Sequence, residues 1–436
     1  MVYITYDIGE FLSLLQQADY SENAYLSYDY YRVYLKYFPP SNLTCFYVKD
    51  DEGRVVGLLP LTKTRACYDI VGYRASNYLG YICDKKDVER IDAEISSYIT
   101  KHHIGMVINF YDVNTAAPLY PILEKQKWTS KVYLYDCPFV DVAQPFETLF
   151  LTQVTKSKKR AELKKFSNKL DSVGKVKLIN IDDENSWNQY GHLIGNIYPL
   201  HKARFSEVYI PSELCLYKNE GYYTELFESL VVKEKALLSI LTVDGVVVSF
   251  LYTVVSDGIV MDWMPAFDPA FAKFSLGTVH LMKLLEYLCQ QDKYRILDFS
   301  KGAAVYKERW AKGKTDNYMF VRRYSGSPVA LFQSWRITQP IKLKNYLRKK
   351  GILDKIKDML VKIQRNKEIV PVKQGGQYRL VEEMPKDAQI IPVTYEQISH
   401  TPLDIRQDIL SAIYMGNSIE MGTMDNVTYC RINKAE

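Results

Sequence analysis

Apolar and polar residues alternate in two short runs, CFYVK and RVVGLLPLTKT, on either side of Asp50-Asp51-Glu52-Gly53; that pattern predicts a β-hairpin. Further strand text follows at ASNYLGYICD. Then come a helical repeat from about Lys86 to His102, a buried strand GMVINFY, a helix near APLYPILEKQ and a strand KVYLYDCPFV. The same succession returns later. LLSILTVDGVVVSFLYTVV is a hairpin turning at Asp244-Gly245, GIVMDWMPAF a third strand, LGTVHLMKLLEYLCQQ a helix, RILDF a strand, AAVYKERWA a helix and NYMFVRRY a last strand. An architecture that occurs twice is an internal duplication, although few residues agree between the halves.

Between the halves, TKSKKRAELKKFSNKLDS reads as a basic amphipathic helix, and SWNQYGHLIGNIYPLHKARF and PSELCLYKNEGYYTELFESLVV as two more. After Gly326, the stretch PIKLKNYLRKKGILDKIKDMLVKIQRNKE sets Ile352, Ile356, Met359, Leu360 and Ile363 at helical spacing with lysines opposite. From about Ile369 the text is acidic and mixed, a small appended α/β piece. The expected division is 1–145, 146–326 with the helical insert, a basic segment 327–368 and an extension 369–436. The fold class is α/β (α+β), with mixed, mostly antiparallel sheet flanked by helices.

A chain of 436 residues, 47% hydrophobic and 25% charged, suits two or three ordinary domains with real cores. The net charge of +5 is unevenly placed. Residues 156–169 hold seven Lys or Arg against one Glu, and 342–367 hold ten against two Asp, so the remainder sums to −9. Cations concentrated in this way point to local anionic partners. Seven scattered cysteines without a CxxC or neighbouring histidines read as reduced thiols, and no metal site is expected. The acidic N-terminus lacks a basic region before an apolar core, and no apolar run reaches membrane-spanning length, so a cytoplasmic protein is expected. The 36 tyrosines, clustered in YLSYDYYRVYLKYF, are read as partly buried packing.

Candidate chemistry concentrates in two places. In AFAKFSLGTVHLMKLL, Phe274, Ser275, Leu276, Gly277 and Thr278 open an amphipathic helix just after a strand. Helix starts carry unpaired N–H groups and partial positive charge, and glycine admits a phosphate to the backbone. No GxGxxG and no GxxxxGK[ST] is present. In YRILDFSKGAAVYKERWAKG, Asp298 ends a strand, and Lys301, Gly302, Tyr306, Lys307 and Arg309 follow. Asp298 either accepts a proton during reaction or caps its own turn and pairs with Lys301 or Lys307. No Ser-His-Asp order competes.

This ordered set resembles the GNAT acyltransferase superfamily, and most of all its cellulose-biosynthesis-protein-like or FemAB-like branch (the BioF2-like acetyltransferase domain). KSKKRAELKKFSNKL, LHKARF and VDGVVVSFLY match that branch in order, as do VGLLPLTKT, SNYLGYI and DCPFVDV in the first half; the likeness covers roughly 1–325. It implies two tandem GNAT-like domains, the second binding an acyl-CoA donor, acetyl-CoA above all. The pyrophosphate would lie at Ser275–Thr278, with Lys301 and Gly302 assisting. Asp298 would serve as base, Tyr306 as acid toward the leaving thiolate and His201 as a further catalytic candidate. Arg204, Trp263, Asp268 and Lys307 would shape the acceptor site for an amine or hydroxyl of a sugar, polysaccharide or envelope precursor. The superfamily's commoner Gln/Arg-x-x-Gly-x-Gly/Ala donor loop is not intact here. The alternatives are a Fem-type aminoacyltransferase using aminoacyl-tRNA through Lys156–Lys169, and a non-catalytic GNAT-fold binding module. Nucleic acid is otherwise not an expected partner. The basic helix at 342–367 is a candidate for peripheral contact with an anionic membrane.

Overall fold

The computed structural model describes residues 1–433 apart from 19–22, 65–66, 73–75, 208–212, 216, 302–304, 354, 356–358, 360–377 and 426. Its first half runs β1 (Val2–Thr5), α1 (Ile8–Ala18), α2 (Tyr28–Tyr37), β2 (Leu43–Lys49), β3 (Val55–Lys63), β4 (Tyr68–Ile70), α3 (Val88–His102), β5 (Val107–Asn114), α4 (Leu119–Lys125) and β6 (Thr129–Asp141). Helices α5 (Phe146–Gln153) and α6 (Ser157–Leu170) lead into the second half. That half runs β7 (Val176–Ile181), α7 (Glu184–Tyr190), α8 (Ile197–Glu207), α9 (Tyr217–Val231), β8 (Ala236–Val243), β9 (Val246–Ser256) and β10 (Ile259–Phe267). It ends with α10 (Leu276–Leu288), β11 (Ile296–Asp298), α11 (Val305–Trp310) and β12 (Gly313–Arg323).

Each half holds six strands, one more than the repeated order predicted, and the two sets merge into one twelve-stranded sheet, in the order β1-β2-β3-β4-β5-β12-β6-β11-β10-β9-β8-β7. Adding six to each strand of the first half turns this order into its own reverse, so the halves are related by a pseudo-twofold axis between β6 and β12. The last strand of each half has crossed over. β12 pairs antiparallel with β5, β6 pairs antiparallel with β11, and β6 and β12 pair with each other. Neither half completes its sheet without the other.

Local sequence explains most elements. Asp244-Gly245 and Asp257-Gly258 carry φ values of 49° and 84°, and of 49° and 71°, the left-handed pairs that tight hairpins require. In α3, Val88, Ile91, Ile95 and Ile99 repeat at helical spacing and are buried. The strand expected at ASNYLGYICD is not formed. The strand that follows the hairpin is β4, Tyr68–Ile70, and the later segment contributes an isolated bridge, Leu58 to Ile82. Gly72 and Tyr78 hold left-handed φ of 98° and 60°, which breaks an extended run. VKLINI, β7, had no sequence expectation; only the edge pairing with β8 makes it a strand.

After β12, α12 (Pro328–Lys349) starts earlier than the basic pattern suggested and stops before Gly351, whose φ is 66°. Beyond it, Ile352 and Met359 are exposed, while Ile356, Leu360 and Ile363 lie outside the described residues. The extension forms a small four-stranded sheet, β13 (Tyr378–Val381), β14 (Gln389–Ile391), β15 (Ser418–Met424) and β16 (Val427–Asn433), in the order β13-β16-β15-β14. Its helix Leu403–Met415 packs on the 3₁₀ turn Pro269–Phe274 that precedes α10.

Candidate active site

The strands of the second half separate at one point. β10 and β11 pair in parallel through Ile259–Ile296, Val260–Leu297 and Met261–Asp298 only. β10 continues to Phe267, whereas the chain after Asp298 turns away at Ser300, φ 51°. Just beyond the last pair, β10 bulges: its register on β9 steps from Asp262–Thr253 to Met264–Tyr252, leaving Trp263 without a register partner on that strand. The fork thus opens at the C-terminal end of β11, flanked by an irregular stretch of β10. Crevices outside the carboxyl ends of parallel strands are where open α/β sheets bind ligands.

Asp298 closes the bottom of the fork. It is buried, and its carboxylate accepts the Tyr78 hydroxyl at 2.6 Å and the backbone N–H of Ser300 at 2.7 Å. Tyr78 comes from the first half, sits at left-handed φ, and also reaches Cys137 Sγ on β6 at 3.4 Å. Burial raises the Asp298 carboxyl above its ordinary range, against these two hydrogen bonds, which lower it. Asp298 thus caps its own turn through Ser300, with a carboxyl of raised basicity at the end of β11. Its expected lysine partners are arranged otherwise. Lys307 is buried, with Nζ donating to the carbonyls of Phe299 at 2.5 Å and Lys301 at 3.1 Å, so it clamps the turn after β11. Lys301 is exposed. Gly302 and the side chains of Tyr306 and Trp263 lie outside the described residues.

Beside this point lies a second buried carboxylate that sequence reasoning missed. Asp112, at φ 66° on β5, accepts from Tyr135 of β6 and from Asn317 of β12, and burial raises its carboxyl too. Asn317 in turn accepts from Asn114 at 2.7 Å. The signal available was polar text, DVN, inside an otherwise apolar strand.

The start of α10 lies against Phe267, at the far end of β10. A 3₁₀ turn, Pro269–Phe274, joins β10 to the helix, and Ser275, φ 50°, precedes it without a side-chain cap bond. Ser275, Gly277 and Thr278 are half-buried, whereas the side chains of Phe274 and Leu276 belong to the core. Gly277 has a packing reason for being glycine: a Cβ there would stand 3.1 Å from the Phe267 ring. The Arg204 guanidinium lies over that same ring, 4.8 Å from its centroid, which brings Arg204 beside the helix start. His201 is buried in mid-helix on α8, stacked on Phe205 at 4.2 Å, and burial lowers its imidazole to about 4. It faces Phe250 of β9 rather than β11. Asp268 caps Ala270 and accepts the Tyr395 hydroxyl at 3.0 Å, with Arg406 Nε 3.5 Å away, so it fastens the C-terminal extension.

The basic helix α6 packs along α10, presenting Lys156, Lys158, Lys164 and Lys165 to solvent. The lysines make the solvent side of α6 anion-favouring; it is Leu170, at the far end of α6, that clusters with Leu276 and Val279 at the start of α10. A separate cavity of about 800 Å³ between α2 and α9 has the opposite character, since Asp29, Glu220, Glu225 and Glu228 outnumber Arg32 there. Among the described residues no cluster of His, Cys, Asp or Glu is arranged to hold a metal ion, and no helix is long and apolar enough to cross a membrane.

Comparison with known proteins bears on this region. No curated protein matches the chain. Among solved structures, it is similar to a C-terminal domain (DUF2156) assigned to lysylphosphatidylglycerol synthetase in Agrobacterium fabrum, at 11% identity, TM-score 0.49, covering 74% of this chain and 94% of that one. It is also similar to L-PGS from Bacillus licheniformis, at 13% identity, TM-score 0.46, covering 76% and 97%. A third similar structure is FemX, at 11% identity, TM-score 0.46, covering 72% and 96%. The segment from α6 through most of α11, which contains the fork, Asp298 and the start of α10, matches the family model of the acetyltransferase (GNAT) domain over residues 157–308.

Proposed function

We propose that the chain is an N-acyltransferase that takes its acyl group, acetyl in the simplest case, from a CoA thioester at the fork between β10 and β11. The observation that carries this reading is one contiguous arrangement inside the matched domain: two parallel strands that part at Asp298, a bulge at Trp263 on the outer strand, and a half-exposed helix start directly after it. The first-turn N–H groups of Leu276 and Gly277, with Arg204 nearby, suit the diphosphate of CoA.

In this reading the acceptor nitrogen attacks the thioester carbonyl carbon. The C–N bond forms, the C–S bond breaks, and backbone N–H at the bulge steadies the oxyanion. The nitrogen's proton passes to Asp298, whose raised basicity suits the task, and Tyr306 returns a proton to the departing thiolate. The family resemblance assigns Trp263 to the acceptor side. The acceptor is an amine, or a hydroxyl, of a sugar, polysaccharide or envelope precursor, as the family resemblance implies. The setting is the cytoplasm.

The exposed lysines of α6 also favour a second reading, aminoacyl transfer from tRNA, because a stripe of cations beside the donor helix suits an RNA backbone equally well. A thermal-shift titration separates the two. CoA or acetyl-CoA at ~100 times Kd should stabilise the chain by roughly 2.7 kcal/mol. Thr278→Glu is the informative variant. A glutamate in the first turn favours the helix yet occupies the phosphate position, so folding should hold while the CoA shift disappears. A wild-type chain that ignores CoA but binds tRNA with a steep salt dependence would replace this proposal with the tRNA reading.

A further inference from the structure

Helix α12 packs one face on β5, β6 and β12 through Ala330, Ser334, Thr338, Ile337 and Ile341. Its opposite face is also apolar. Val329, Phe332, Trp335, Leu343 and Tyr346 are each more than half exposed, at 67%, 60%, 56%, 58% and 57%. At helical spacing they fall within about 120° of one another, directed away from the sheet. The Phe332 and Trp335 rings stack at 6.0 Å. Single exposed apolar residues are ordinary on a protein surface; five on one face of one helix, in two groups parted by Arg336 and Gln339, are not.

Charge identifies the occupant. From 328 to 350 there are six cations, Arg336, Lys342, Lys344, Arg348, Lys349 and Lys350, and no Asp or Glu. The patch continues past the helix start, where Trp128 is 43% exposed and carries Lys127 and Arg323 over its ring at 5.1 and 5.5 Å. A second copy of the chain would bring twelve like charges to one seam with no counter-charge. Nucleic acid would satisfy the cations but leave Val329 and Leu343 without a role. An anionic bilayer surface satisfies both halves of the pattern, with apolar and aromatic groups entering the boundary between headgroups and acyl chains and cations meeting lipid phosphate.

We propose that α12 is a membrane-surface helix that seats the protein on anionic lipid through Phe332, Trp335, Leu343 and Tyr346, flanked by Arg336, Lys342, Lys344 and Arg348. The surface lies outside the fork, and the inference does not depend on which reaction occurs there.

The test is flotation of the full chain with vesicles of equal parts phosphatidylglycerol and phosphatidylethanolamine, against vesicles of phosphatidylcholine alone. Binding is expected only to the anionic set, with a blue shift of tryptophan emission. The double variant F332S/W335S should lower binding at least about tenfold, and K342Q/K344Q/R348Q about a hundredfold at low salt. All five side chains are exposed, so an unchanged melting temperature confirms that the fold survives. Absence of binding to anionic vesicles overturns the proposal, as does binding that F332S/W335S leaves intact. Light scattering that shows a dimer dissociated by W335S would assign the face to a second copy. RNA binding abolished by K342Q/K344Q/R348Q, without vesicle binding, would assign it to nucleic acid.

Discussion

Asp298 illustrates how much a single position depends on its surroundings. A strand ending in Asp, followed by Ser-Lys-Gly, was visible in the sequence; the Tyr78 hydroxyl that meets it comes from 220 residues earlier and was not. Because burial raises this carboxyl in the folded state, the folded chain binds more protons than the unfolded one between the ordinary aspartate range and the raised value. That contribution to stability is therefore present at low pH and lost as pH rises through the window. Asp298→Asn should consequently gain on wild type in urea-unfolding stability as pH rises above the ordinary aspartate range, and abolish turnover with any acceptor found. A second residue pair joins the halves. Arg322 on β12 donates to Asp92 on α3 at 2.6 Å, both nearly inaccessible, and Tyr81 donates to the same carboxylate at 2.7 Å. Arg322→Met should cost about 3–5 kcal/mol in denaturant unfolding because it strands a buried carboxylate, and adding Asp92→Leu should recover much of the loss.

At the scale of elements, α10 was the most legible part of the site. Its buried positions Leu276, Val279, Leu281, Leu284, Leu285 and Leu288 recur at helical spacing, and the helix forms where that pattern begins. What holds its start in place was not legible. The 3₁₀ turn ahead of it is gripped by the C-terminal extension, with Phe271 against Tyr395 and Phe274 against Tyr414, both ring pairs at 5.1 Å, besides the Tyr395–Asp268 hydrogen bond. The extension thus buttresses the turn on which the proposed donor site depends, and Asp268, expected at an acceptor site, is one of its anchors. The short β4 and the edge strand β7 escaped notice because pairing, β4 between β3 and β5 and β7 on β8, defines them rather than local alternation.

At the scale of the whole molecule, the crossing of β6 and β12 is the governing feature. The acetyltransferase-like segment depends on a strand from the other half, since β11 is held between β10 and β6. Residues 146–436 expressed alone should therefore leave β11 and β12 with unpaired edges and aggregate, whereas co-expression with 1–145 should restore a soluble complex. Size-exclusion chromatography of the two preparations checks this, and a soluble, cooperatively unfolding 146–436 fragment would contradict it.

The sequence by itself determined the repeated order of hairpin, strand, helix, strand, helix and strand, the basic character of α6 and α12, and the helix start after the third strand of the second half. Each of these follows from periodicity, turn residues and charge, which act over a few residues. Only the tertiary structure decided that the two units share one sheet, that Tyr78 and Cys137 complete the surroundings of Asp298, that Arg204 stands beside Gly277, and that α12 turns a second apolar face outward. Those outcomes depend on which strands exchange partners and which faces remain uncovered, and no local pattern encodes either, because pairing energy is collected between segments hundreds of residues apart.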